Sequence, residues 1–131
     1  MDQVKVGTFT VTAAEASGGK NLELGFTAEY IRLFNLSATD TEVIVLERWG
    51  TMAAAAVLET YMHDNDGGDD IVSHVYNSST GLTDYGSGSI AASGSPDTVV
   101  DSGFAGITIP AGQLVENDVW HYMAMGAQFT A

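Results

Sequence analysis

Cysteine is absent from the 131 residues of this chain. That excludes disulfide scaffolds, thiolate metal sites and cysteine nucleophiles. Basic side chains are scarce: 4 Lys and Arg stand against 17 Asp and Glu, a formal charge of −13. So few cations cannot neutralise a row of phosphates, so no nucleic acid is expected as partner, and no anionic membrane surface. Long hydrophobic runs are missing too. The longest, Met52 to Leu58, falls far short of a membrane span. The opening Met-Asp-Gln-Val-Lys-Val has no apolar signal core, so export by that route is not expected. Charged residues are 16% of the chain and hydrophobic ones 45%, too apolar a balance for disorder. The length suits one domain, residues 1–131, able to bury roughly two-thirds of its unfolded surface.

The residues that are present favour strands. Val, Ile, Thr, Tyr and Phe recur in short runs punctuated by Gly, Ser, Asn and Asp. Val4 to Thr12 alternates, but Val4 and Val6 lie on one parity and Phe9 and Val11 on the other. A bulge at Gly7 would bring all four to one face. Ala16 to Asn21 reads as a turn or loop. Leu22-Glu23-Leu24 is a short alternating segment. Glu29 to Leu36 is apolar on both parities, which predicts a central strand covered on both sides. A polar turn, Ser37 to Asp40, then connects it to Glu42–Trp49 as a hairpin.

Four alanines, Ala53 to Ala56, have high helix propensity, but Val57 to Met62 alternates at period two. The reading is a turn or short helix through the alanines and a strand from about Val57, with helix throughout as the alternative. Further strands are expected over Ile71–Tyr76, near Ser89–Ala92, over Phe104–Ile109 and over Val119–Phe129. The Ser- and Gly-rich stretch from Ser87 to Gly94 is loop composition. About seven or eight short strands with turns between them predict an all-β, single-domain β-sandwich or jelly-roll-like fold with antiparallel strands.

Chemistry-bearing constellations are few. Asp64, Asp66, Asp69 and Asp70 crowd into one loop with Gly67-Gly68, a candidate set of oxygens for a hard cation such as calcium. The EF-hand template starts at Asp64-x-Asp66 and then fails, with Gly68 at its third ligand position and Val75 at the twelfth. A solvated turn is the plainer reading, so no metal site and no cofactor is assigned. His63, His74 and His121 have no zinc-ligand spacing. No Gly-x-Ser-x-Gly elbow occurs, and Gly19-Lys20 lacks the rest of a phosphate loop. No catalytic residue is assigned, and the chain is read as no enzyme. Trp49 and Trp120 are candidate sugar-stacking groups, although a Trp at a strand end belongs more often to a core or a subunit interface.

Two blocks carry a resemblance. One runs from Leu24 to Leu36 and continues in Glu47-Arg48-Trp49-Gly50-Thr51-Met52. The other is Gly103 to Pro110, followed by Asn117 to Ala124. Together they resemble a group of small tailed-bacteriophage virion proteins with a Gly-Phe-x-Pro-Arg-Tyr-Val strand, a Glu-Trp-x-x-Gly-Met turn and a Gly-Phe-Thr-Ile block before a Trp-x-x-Ala strand. This chain departs from that pattern with Ala28-Glu29 in place of Pro-Arg and Thr51 in place of Gly. The resemblance implies a virion structural protein, in the first place a capsid decoration (cement) protein. Such a protein is made in the bacterial cytoplasm and binds the major capsid protein on the outer shell as a homotrimer. A tail, neck or fibre-base adaptor is the alternative, and a carbohydrate- or calcium-binding β-sandwich module the second. The strand Val4 to Thr12 is a candidate exchanging arm in such an oligomer.

Overall fold

Alternating β-branched and aromatic residues become nine strands in the computed structural model, which describes residues 3–35, 42–63, 71–85 and 105–126. In chain order these are β1 (Gln3–Thr10), β2 (Lys20–Glu23), β3 (Ala28–Asn35), β4 (Glu42–Trp49), β5 (Val57–His63), β6 (Ile71–Asn77), β7 (Thr83–Tyr85), β8 (Gly106–Ile109) and β9 (Val119–Gly126). Six form one sheet in the order β1-β9-β3-β4-β5-β6, and three form a smaller one, β2-β8-β7. Every pairing is antiparallel. The two sheets bury one shared core. Ile31, Leu33, Leu46 and Trp120 come to it from the large sheet, Leu22, Ile107 and Ile109 from the small one. The fold is therefore all-β and sandwich-like, as the strand spacing predicts.

Several elements depart from the sequence reading. One α-helix, α1 (Ala13–Gly18), follows directly on the expected strand Val4–Thr12 and takes the first half of the expected loop Ala16–Asn21. The Thr12 side chain accepts from the Glu15 backbone N–H, while the Glu15 carboxylate accepts from the Thr12 N–H. This reciprocal pair satisfies two otherwise orphan donors and starts the helix. The alanine run forms turns, with Ala55 at φ 64 and the Ala56 N–H donating to Ala53 O. Val57 then enters β5, fully buried. Burying Val57 and pairing β5 with β4 override the helix propensity of four alanines.

Gly7 makes no bulge. The β1–β9 register runs without interruption from Gln3↔Gly126 to Thr10↔Val119. Gly7 lies opposite Tyr122, and a Cβ there would sit 2.7 Å from the phenol oxygen. The missing side chain makes room for the ring, and the strand keeps its period. Phe9 and Val11 therefore face inward while Val4 and Val6, 62% and 68% exposed, face out. The expectation that β3 is covered on both sides is also corrected. β3 is central, between β9 and β4. Ile31, Leu33 and Asn35 are buried, whereas Tyr30, Arg32 and Phe34 on the opposite face are only half-buried. The small sheet covers a single face of the large one, so the apolar residues of the other parity find no second layer among the described residues. The turn Ser37–Asp40 and the strand expected near Ser89–Ala92 lie outside those residues, as do Phe104 and the end of the last strand past Gly126.

Candidate functional site

Pairing partners in an antiparallel ladder point to the same face, so the register sorts the side chains of the large sheet into an inner and an outer set. The inner set carries the core and three buried polar side chains, Asn35, Arg48 and Glu59. Glu59 on β5 is 5% exposed. Its carboxylate accepts from Tyr61 Oη, from Asn77 Nδ2 at 2.8 Å and from Gln113 Nε2 at 3.1 Å. Burial pushes this carboxyl up, but the three donors outweigh that and hold it below its ordinary value of 4.5. Arg48 on β4, also buried, reaches across the sandwich to Asp84 on β7, 3.3 Å away. These groups tie β4, β5 and β6 to β7 and to the 3-10 turn Ala111–Gln113. Each carboxylate oxygen of Glu59 is engaged, which makes the cluster a structural tie.

The Glu59 geometry has a pH signature. A carboxyl whose folded pKa is depressed contributes stability above its unfolded value, and that contribution is lost as pH falls through the folded value. Glu59→Gln keeps the shape and removes the titration. The stability gap between the native chain and this variant is expected to be widest at neutral pH and to shrink below about pH 4.5. Paired thermal melts at pH 7 and in acid read this. The difference between the two chains matters here, because acid also relieves the self-repulsion of the other carboxylates in both.

The outer set is unusual for an exposed surface. β1 and β9 present alternating Val, Thr, Met and His; β3 presents Tyr30, Arg32 and Phe34; β4 presents Glu47 and Trp49, with Val45 on the same face but buried. β5 and β6 add Leu58, Thr60, Met62, Val72, His74 and Tyr76. Glu47 and Arg32 are the only acid and the only Lys or Arg at these described register positions, and they pair with each other at 4.0 Å. Tyr30 donates to Glu47 Oε2 at 2.7 Å. Burial, then this carboxylate, pushes the phenol up to about 12, so it stays a neutral donor. The Arg32 guanidinium lies 4.6 Å from the Phe34 ring centroid, and the Trp49 and Tyr30 rings are 5.0 Å apart. A chain of charge −13 thus keeps one broad sheet face with no net Asp, Glu, Lys or Arg charge and much apolar area.

The two tryptophans have different places. Trp120 is fully buried and stacks on Phe9, ring centroids 6.4 Å apart, so it is a core residue closed to any sugar. Trp49 is 43% exposed on the outer face. Asp64, Asp66, Asp69 and Asp70 lie outside the described residues. His74 and His121 share the outer face but are separated by β3, β4 and β5; His74 Nδ1 is 3.1 Å from Thr60 Oγ1. Among the described residues no group of three His, Asp or Glu is placed to hold a metal ion. No helix among them is long and apolar enough to cross a membrane. Sequence reasoning singled out Trp49 and missed the face around it. The signal was there, in the apolar second parity of Glu29–Leu36, but parity alone does not say which side stays open.

Fold and face together define a class: an all-β, sandwich-like fold whose larger sheet has one face in the core and the other without a second layer among the described residues. Comparison with known protein families, curated proteins and solved structures finds no match for this chain.

Proposed function

We propose that this chain is a non-enzymatic structural protein of a phage virion, most specifically a capsid decoration protein. In this reading it binds the major capsid protein on the outside of the shell as a homotrimer and is made in the cytoplasm of the bacterial host. The observation that carries the reading is the outer face of the large sheet, apolar and without net Asp, Glu, Lys or Arg charge on a chain of charge −13. Such a surface suits permanent protein–protein contact, in which contiguous apolar area is covered on assembly. The acidic remainder keeps free copies soluble beforehand and suits a position away from packaged DNA. The two sequence blocks that resemble small virion proteins add to it: they supply β3, the end of β4, β8 and much of β9.

Stabilisation of a shell by such a protein is linkage. A ligand that binds the assembled lattice and not its separated subunits shifts the balance toward the lattice. Copies joined in one oligomer add their separate contacts by multivalency. Quantitative mass spectrometry of purified particles tests the placement. The expected copy number is equal to that of the major capsid protein or a simple fraction of it. A handful of copies would move the chain to the tail, neck or fibre base, and absence from the particle would remove the virion reading.

A further inference from the structure

Both margins of the large sheet carry strongly exposed apolar residues. At one margin, β1 places Val4 and Val6 on the outer face, 62% and 68% exposed. At the other, β6 places Val72 and Tyr76 there, 55% and 58% exposed. Both strands are edges: among the described residues β1 pairs only with β9, and β6 only with β5. Proteins that remain monomeric protect such edges with charge, proline or a bulge. β6 has none of these. Its seven residues, Ile-Val-Ser-His-Val-Tyr-Asn, include no Asp, Glu, Lys, Arg or Pro, and its ladder with β5 runs in unbroken register from Val57↔Asn77 to His63↔Ile71. β1 has a single charged residue, Lys5, whose ammonium is held by the Glu23 carbonyl at 3.0 Å on the inner side.

We propose that β6 of one copy pairs with β1 of the next copy, joining the large sheets into one continuous antiparallel sheet. Strand polarity makes this possible. The sheet alternates direction through six strands, an even number, so its two edge strands run opposite to one another. A neighbour related by rotation about an axis parallel to the strands brings its β1 antiparallel to β6, and the alternation continues across the joint. The same placement sets Val72 and Tyr76 beside the neighbour's copies of Val4 and Val6 on one side of the joined sheet. Two different patches meet, so the contact is heterologous and builds a ring where the rotation closes.

Charge selects a second copy as the occupant. A different partner for a chain of charge −13 would be held best by basic groups of its own facing acidic ones here, yet neither exposed margin patch has an acid to offer. Two copies of this chain repel through most of their surface, and these margins, which carry no acid, are where they can approach. The inference deepens the virion reading and rests on it only for the number of copies in the ring. The contact itself follows from edges, polarity and charge.

Sedimentation velocity of the purified chain, with two variants, tests the contact. Val72→Lys/Tyr76→Lys blocks the β6 margin, and Val4→Lys/Val6→Lys blocks the β1 margin. All four positions are exposed, so both variants are expected to keep the native circular dichroism spectrum. The native chain is expected to form one closed oligomer, stronger in added salt as the repulsion is screened. Each variant alone is expected to be monomeric. An equimolar mixture is expected to give a one-to-one dimer, because one intact β6 margin and one intact β1 margin remain. That rescue also excludes misfolding as the cause of the monomers. A native chain that stays monomeric at high concentration would overturn the proposal, leaving the margins to another protein or to the rest of this chain. A variant that still forms the native oligomer would overturn it as well, pointing to a contact between like edges or elsewhere. Neither result depends on the copy number in particles, so the two readings fail separately.

Discussion

Trp120→Ala is expected to lower the stability of the isolated chain by about 3–5 kcal/mol, the range for deleting a buried aromatic from a packed core. Trp120 has no exposed surface. It stacks nearly parallel on Phe9, with an interplanar angle of 9°, and belongs to the cluster that includes Ile31, Leu33 and Ile107. It pairs with Phe9 on β1 and with Asn35 on β3, so the cavity opens at the junction of three strands. Relaxation into that cavity is limited, because backbone ladders on both sides hold the strands apart. Trp120→Phe is expected to cost much less. The indole N–H has no acceptor among the described residues, so the ring change gives up area and no hydrogen bond. Urea titration of the three chains reads the order native, Phe, Ala; a Trp120→Ala chain within about 1 kcal/mol of native would show that the ring is not a core member.

Gly106→Ala is expected to be the second severe change, about 2–3 kcal/mol by the usual cost of overpacking. A Cβ at Gly106 would sit 1.9 Å from the Leu22 carbonyl oxygen and 3.0 Å from the Leu24 nitrogen. These are backbone atoms of and just beyond β2, so no side-chain rotation relieves the contact. Gly106 lies between Glu23 on one side and Tyr85 on the other, at the start of the strand that holds the small sheet together. The substitution would force β2 and β8 apart and lift Leu22 and Ile107 from the core. Gly112→Ala is the internal control, since a Cβ there meets nothing within 4 Å. Thermal melts should show a large drop for Gly106→Ala and little change for Gly112→Ala. Equal behaviour of the two would remove the close approach as an explanation.

Both predictions depend on how two sheets meet, and this separates what is legible in the chain from what is not. The β class is local information. β4 occupies the predicted Glu42–Trp49, β5 begins at the predicted Val57, and β6 extends the predicted Ile71–Tyr76 by one residue. Helix α1 was legible too, in Thr12-x-x-Glu15, a capping pair that a strand reading of Val4–Thr12 passes over. Faces are another matter. Alternation at period two defines two sides of a strand, and nothing local says which is covered. At Gly7 the phase break suggested a bulge, because four apolar residues on one face is the simplest local solution. The Tyr122 ring, 115 positions later in the chain, needs the space above Gly7, and so Val4 and Val6 turn outward.

The same reason governs the candidate site. By itself the sequence determined the absence of thiols, the scarcity of cations, the strand-rich composition and most strand positions, since each is a property of residue type and near neighbours. Only the tertiary structure decided that Trp120 is core and Trp49 surface, that Glu59 is held by three donors, and that the large sheet keeps one largely apolar face without net Asp, Glu, Lys or Arg charge and, among the described residues, two unpaired edges. Those facts depend on contacts between residues far apart in the chain, where pairing register and the single covering sheet assign each side chain its environment.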